Sequence, residues 1–270
     1  MDFLARLRAA AQANRSWVCV GLDPDSARMP GLGDADSVLR FNRSVIESTQ
    51  DLVCAYKVNS AYYEALGSRG FEVMRKTRES VPEGIPVILD AKRGDVPHTA
   101  ERYAAAAFDQ LGYDAITAQP YLGLDALVPF LVRPDRGCFV LVRTTNPSAA
   151  EIQDTKVSGE PLYVHLAGKV AEWSRQYPNL GVVAGATVTA ELGEVRRTIG
   201  EDLPILVPGV GAQGGDATEA ARAGGNARGE LAIVTASRSV IYAGSPENVR
   251  AACLRLREDV ARGAPGGSAS

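Results

Sequence analysis

The stretch Val87-Ile88-Leu89-Asp90-Ala91-Lys92-Arg93-Gly94-Asp95 holds the residues best placed for chemistry. It reads as a short apolar strand that ends in charge. Side chains alternate faces along a strand, so Ile88, Asp90 and Lys92 share one side while Val87, Leu89 and Ala91 share the other. An acid and an ammonium therefore meet at the strand's C-terminal end. Asp95 follows a glycine, just ahead of a helical pattern over His98 to Leu111. Two carboxylates bracketing one lysine keep it protonated even when it is partly desolvated. Such a lysine is a proton donor or a fixed cation, and a poor Schiff-base nucleophile. The same pattern also suits a surface ion pair, with Asp95 only an N-cap.

What must position these groups is an alternation of apolar runs and helical patterns. Strands are expected at Trp17–Leu22, Leu52–Val58, Pro86–Lys92, Asp114–Ala118, Cys138–Arg143, Gly181–Ala186, Pro204–Val207 and Ala232–Thr235. Helices are expected between them at Asp36–Gln50, Ala61–Ser80, His98–Leu111, Leu124–Val132, Leu162–Gln176, Ala190–Ile199 and Asp216–Ala223, with a last one at Pro246–Ala261. Eight such units without a break predict a single-domain (β/α)8 TIM barrel, an α/β fold over residues 1–262. A doubly wound open sheet is the alternative, but no G-x-G-x-x-G follows the first strand. Met1 to Asn14 carries Phe3, Leu4 and Leu7 at helical spacing and reads as part of the fold; its arginines also allow a transit peptide. The Gly/Ala/Ser/Pro-rich tail 263–270 reads as disordered.

In a barrel the chemistry lies at the C-terminal ends of the strands. Asp23, Lys57, Asn59, Asp90, Lys92, Gln119, Thr144, Thr145, Asn146, Gln213, Ser237 and Arg238 all fall there. Any one of them could be an ordinary cap or loop residue. Two lysines and three aspartates converging on one rim point to a site. The loop Pro208 to Asp216 is glycine-rich, and glycines let backbone N–H groups approach an anion. It follows the seventh strand, and Ser237-Arg238 follows the eighth, the pair of loops between which barrels often hold phosphate. Arg238 would clamp the anion and Gln213 would add a neutral donor.

Composition narrows the classes. A net charge of -3 and a pI near 5.6 leave no footprint for nucleic acid or an anionic membrane. No apolar run approaches the roughly 18 residues of a spanning helix. The four cysteines form no C-x-x-C pair, and three sit in apolar strand-like runs as core residues, which reads as a reduced, cytoplasmic protein. Two histidines far apart in sequence exclude a multi-histidine metal site within one chain.

The order D-A-K-R-G-D at Asp90 to Asp95 resembles the D-x-K-x-x-D signature of the orotidine 5′-monophosphate decarboxylase family. Asp23 in V-G-L-D, Lys57 in Y-K-V-N and the Pro208–Asp216 loop with Ser237-Arg238 match the same family in the same order. The length and the long fifth loop resemble its larger bacterial branch. The resemblance implies conversion of orotidine 5′-monophosphate to UMP and CO2 in pyrimidine biosynthesis, without metal or organic cofactor. It implies that Lys92 protonates the pyrimidine C6, that Asp90 sits beside the substrate carboxylate, and that Lys57 orders the charge network and reaches the ribose. Asp23 would hold ribose hydroxyls, and Gln213 and Arg238 the phosphate. Ser237 stands where many members have glycine and would offer its backbone N–H. Thr145 stands where the family commonly has a serine against the pyrimidine. Asp95 and Thr99 would be lent to a neighbouring subunit, which makes the expected enzyme a homodimer with shared sites. Two rivals share the scaffold: a Mg²⁺-dependent sugar-phosphate decarboxylase using Asp90 and Asp95 as ligands, and a silent nucleotide-binding barrel.

Overall fold

Each expected strand forms, and the eight close on themselves. The computed structural model describes residues 1–29, 31–211 and 214–265. The strands are β1 (Val18–Gly21), β2 (Ala55–Asn59), β3 (Val87–Arg93), β4 (Ala115–Ala118), β5 (Gly137–Arg143), the short hairpin β6 (Lys156–Val157) and β7 (Glu160–Pro161), then β8 (Leu180–Ala184), β9 (Ile205–Val207) and β10 (Ala232–Ala236). Without the hairpin they form a closed parallel barrel in the order β1-β10-β9-β8-β5-β4-β3-β2. The helices are α1 (Phe3–Asn14), α2 (Ala35–Thr49), α3 (Ser60–Glu64), α4 (Gly70–Ser80), α5 (Pro97–Ala104), α6 (Leu124–Leu131), α7 (Ala149–Gln153), α8 (Leu162–Trp173), α9 (Thr189–Ile199), α10 (Ala217–Gly224), α11 (Arg238–Ile241) and α12 (Pro246–Gly263).

Alternation along the strands builds two cores. One face of every strand packs outward on the helices, as Val18, Val20, Tyr56, Val87 and Leu89 do. The other fills the lumen with one layer: Cys19, Ala55, Ile88, Ala115, Phe139, Val183, Leu206 and Ile233, one residue from each strand. Helix α1 closes the bottom of that layer with Phe3, Leu7 and Ala11. Phe3 meets Phe139 edge-to-face at 5.9 Å and lies over Gly137, where a Cβ would come within 2.5 Å of its ring. The N-terminal segment is thus part of the barrel. Arg6 of α1, Arg78 of α4 and Arg136 converge beneath on the buried Asp114, at 2.6, 3.1 and 3.6 Å.

Several boundaries differ from expectation. The helix read over Ala61–Ser80 is broken into α3, a 3-10 turn (Gly67–Arg69) and α4. Gly67 takes a positive φ of 68°, and Gly70 lies so close to the Tyr63 carbonyl that a Cβ there would stand 2.0 Å from it. Helix α5 runs on through a wide π-helical turn, Ala105–Gln110. Helices α7 and α11 and the β6–β7 hairpin are additions to the expected elements. Of the tail read as disordered, Gly263 ends α12, and residues 266–270 lie outside the described residues.

Candidate active site

Two residues beyond the apolar floor of the lumen, the inward positions of four strands turn polar. Ala55 is followed by Lys57, Ile88 by Asp90, Ala115 by Thr117 and Ile233 by Thr235, so the period of two lifts these side chains towards the C-terminal mouth. A cavity of about 720 Å³ opens there, within the roughly 300–1,000 Å³ typical of small-molecule sites.

A row of alternating charge crosses it. Lys57 Nζ lies 3.6 Å from Asp23 Oδ1 and 3.1 Å from Asp90 Oδ2. Lys92 Nζ donates to Asp90 Oδ1 at 2.7 Å. Lys57 is enclosed, its side chain 5% exposed, whereas that of Lys92 is 49% exposed. Burial alone would depress Lys57, but the carboxylates of Asp23 and Asp90 outweigh it and hold the ammonium above its ordinary 10.5. Burial alone would raise Asp90, yet Lys57, Lys92 and the Thr117 hydroxyl hold its carboxyl well below its ordinary 3.8. Lys57 and Asp90 are therefore both charged near neutrality. Cys19, in the floor layer, is pushed up to about 12 by burial and stays a thiol.

The proximity of Asp90 and Lys92 has a different origin from simple alternation. The β3–β4 register runs Leu89 against Ile116 and then jumps to Arg93 against Ala118. Lys92 sits in that bulge with a left-handed φ of 47°. Its backbone N–H donates to Thr117 Oγ1 at 3.0 Å, and that hydroxyl donates to Asp90 Oδ1 at 2.8 Å. The expectation that two carboxylates bracket Lys92 within one chain also needs correction. Asp95 accepts from its neighbour Val96 N at 2.8 Å, and neither Asp95 nor Thr99 lines the cavity of its own chain. The rim thus brings together two lysines and two aspartates.

Asp23 is held from three sides. Its Oδ1 accepts from Asn59 N at 3.2 Å, its Oδ2 from Ser237 Oγ at 2.6 Å, and Tyr242 Oη donates to its carbonyl at 3.0 Å. The Ser237 hydroxyl is thus engaged by Asp23. It fits because Gly21 has no Cβ, which would stand 1.9 Å from it. Half-way round the barrel from β3, Pro208, Gly209 and Val210 line the cavity with Arg238, which has no acidic partner among the described residues. The amides of Gly211, Gly214 and Gly215 close onto carbonyls of the same loop, so fewer of its N–H groups face outward than the glycine count suggests. Gln213 lies outside the described residues.

Thr144, Thr145 and Asn146 line the cavity beyond β5. Gln153, which the sequence reading passed over, clamps Thr144 from α7. Its Oε1 accepts from Thr144 N at 2.9 Å and Arg143 Nη1 at 3.2 Å, and its Nε2 donates to Thr144 Oγ1 at 2.7 Å. The extra methyl of Thr145 lies over Gly185, where a Cβ would come within 2.1 Å of it. Thr117 was also missed. The signal that could have found it is its place two residues past Ala115, the register partner of Ile88, just as Asp90 stands two past Ile88.

A closed (β/α)8 barrel with a charged cavity at its C-terminal mouth defines a barrel enzyme acting on a small anionic molecule. The chain belongs to the orotidine 5′-phosphate decarboxylase / HUMPS family, whose model matches residues 16–253. It is 49% identical over 259 residues to orotidine 5′-phosphate decarboxylase of Herpetosiphon aurantiacus, covering 95% of each chain. It is 48% identical over 270 residues to the protein of the same name from Thermomicrobium roseum, covering 97% of this chain and 96% of that one. Among solved structures, OMP decarboxylase of Leishmania donovani superposes with a TM-score of 0.87 at 36% identity, covering 96% of this chain and 97% of that one. UMP synthase of the same organism superposes with a TM-score of 0.89 at 38% identity; this chain is covered to 96% and spans 56% of that longer one.

Proposed function

We propose that this chain decarboxylates orotidine 5′-monophosphate to UMP and CO2 in de novo pyrimidine biosynthesis. The observation that carries this reading is the row Asp23–Lys57–Asp90–Lys92, ending in a half-exposed ammonium. The C6–carboxylate bond breaks, CO2 leaves, and the electron pair stays on C6. The Lys92 ammonium stands ready to stabilise that carbanion and gives its proton to C6; the neutral amine then regains a proton from water. Asp90 would face the substrate carboxylate and fix Lys92. Lys57 would hold Asp90 and Asp23, and Asp23 the ribose hydroxyls. Thr145 would meet the pyrimidine. Arg238, the backbone at Ser237 and Gln213 would hold the phosphate.

This chemistry needs neither metal nor organic cofactor. The Mg²⁺-dependent rival requires Asp90 as a metal ligand, but both Asp90 oxygens are already engaged by Lys57, Lys92 and Thr117. The silent-barrel rival leaves a carboxylate and a lysine poised beside the cavity with nothing to do. Asp95 and Thr99 would complete the site of a second copy, making the working form a homodimer, and we place it in the cytoplasm. None of the described helices is long and apolar enough to cross a membrane.

The test follows loss of the substrate's ultraviolet absorbance with purified protein, before and after exhaustive EDTA treatment. Turnover is expected in both. Lys92→Ala should bind UMP yet lose at least about 10³-fold in kcat. Near-normal turnover by folded Lys92→Ala, or EDTA inactivation reversed by Mg²⁺, would sink the reading.

A further inference from the structure

We propose that Thr117 is a positioning residue for this reaction, holding the Asp90 carboxylate and the strained backbone of Lys92 in one geometry through a single hydroxyl. The inference rests on the reading of Asp90 and Lys92 given above. Between the pairs Leu89–Ile116 and Arg93–Ala118, three residues of β3 face one residue of β4. That one residue is Thr117. The bulge turns Lys92 to a left-handed φ, a conformation that residues with a Cβ rarely hold without compensation.

The compensation is visible atom by atom. The bulge takes the Lys92 N–H out of the regular ladder, and Thr117 Oγ1 accepts it at 3.0 Å. A hydroxyl has one proton, and with the N–H pointing at its oxygen that proton goes to Asp90 Oδ1, 2.8 Å away. Main chain of one reacting residue and side chain of the other are thereby tied to a common atom. Thr117 is 1% exposed, so its hydroxyl is shielded from bulk solvent. It does not line the cavity, so its influence must pass through Asp90 and Lys92. The β-branch of threonine restricts χ1, which keeps the hydroxyl aimed at both. The residues proposed to hold the phosphate follow β9 and β10, four and three strands round the barrel from β3.

Thr117→Val keeps the shape and removes the hydroxyl; Thr117→Ser keeps the hydroxyl and removes the methyl. Both are assayed beside wild type with orotidine 5′-monophosphate, and UMP binding is measured separately. Wild-type turnover is read first, and its absence would overturn the function reading itself. With an active wild type, Thr117→Val is expected to lose about 100-fold in kcat, the scale of a small misplacement of reacting groups, with UMP affinity within about 3-fold of wild type. Thr117→Ser is expected to recover most of that kcat. UMP binding also reports folding; should the valine variant fail to bind, Thr117→Ala is put through the same measurements with the same expectations. Wild-type kcat in Thr117→Val overturns the proposal. So do equal losses in the valine and serine variants, and so does a loss confined to substrate affinity. If neither hydroxyl-free variant folds, the serine variant decides: a large kcat loss with the hydroxyl present overturns the proposal, and wild-type kcat supports it.

Discussion

Asp90 receives three donors on two oxygens: Lys92 Nζ and Thr117 Oγ1 on one, Lys57 Nζ on the other. Its depressed pKa has a consequence for stability. An acid whose folded pKa lies below its unfolded value stabilises the fold above the unfolded pKa and loses that contribution as pH falls through the folded one. Wild type should therefore resist urea better than Asp90→Asn by a constant margin from about pH 5 to pH 8, and the margin should close as the pH drops below the ordinary 3.8 of an aspartate. Urea midpoints measured across that range check this. A margin unchanged down to pH 3 would mean that the charge on Asp90 does not support the fold.

At the scale of elements, the fit between β5 and β8 turns on one missing side chain. A Cβ on Gly185 would lie 2.1 Å from Thr145 Cγ2 but 3.4 Å from Thr145 Cβ, an ordinary contact. Gly185→Ala should therefore displace the loop after β5 and raise KM for the nucleotide by about 10-fold or more, and Thr145→Ser in the same chain should bring it back. A double variant no better than Gly185→Ala would mean that the strain lies elsewhere. The elements themselves were largely legible. Eight apolar runs separated by helical patterns leave few folds to choose from, and strand-end charge marks the working face. What escaped was whatever breaks a period. Lys92 and Asp90 were placed together by an alternation that the bulge interrupts. Gly67 and Gly70 divide a helix that apolar spacing alone made continuous. Thr117 looks like one more β-branched core residue in Ala115-Ile116-Thr117-Ala118, because its partner Asp90 is 27 positions away and only the register brings them together. Gln153 was hidden because α7 is too short to show a periodicity.

At the scale of the whole molecule, the site of a single chain is incomplete on the proposed reading, since Asp95 and Thr99 do not reach their own cavity. Two exposed apolar side chains stand at the same end of the barrel, Val96 next to Asp95 in the chain and Tyr121 in the loop after β4. Lys92→Ala and Asp95→Ala should each be nearly inactive alone. Re-associated at equal amounts, half the dimers should be mixed, and roughly a quarter of all sites should regain both intact residues. If gel filtration confirms mixed dimers and the mixture is no more active than either parent, Asp95 serves its own chain. At the other end of the barrel, α1 has partners far along the sequence. Arg6 reaches Asp114 and the Asp135 carbonyl, 108 and 129 residues later. At a synthesis rate of roughly 5–20 residues per second, that helix is made some 5 to 25 seconds before its polar partners Asp114 and Asp135, and the lumen layer it caps is not complete until Ile233 follows later still. Its apolar stripe of Phe3, Leu7 and Ala11 must wait exposed, so the stopper of the barrel is made early and seated late, and the nascent chain is most open to aggregation in that interval.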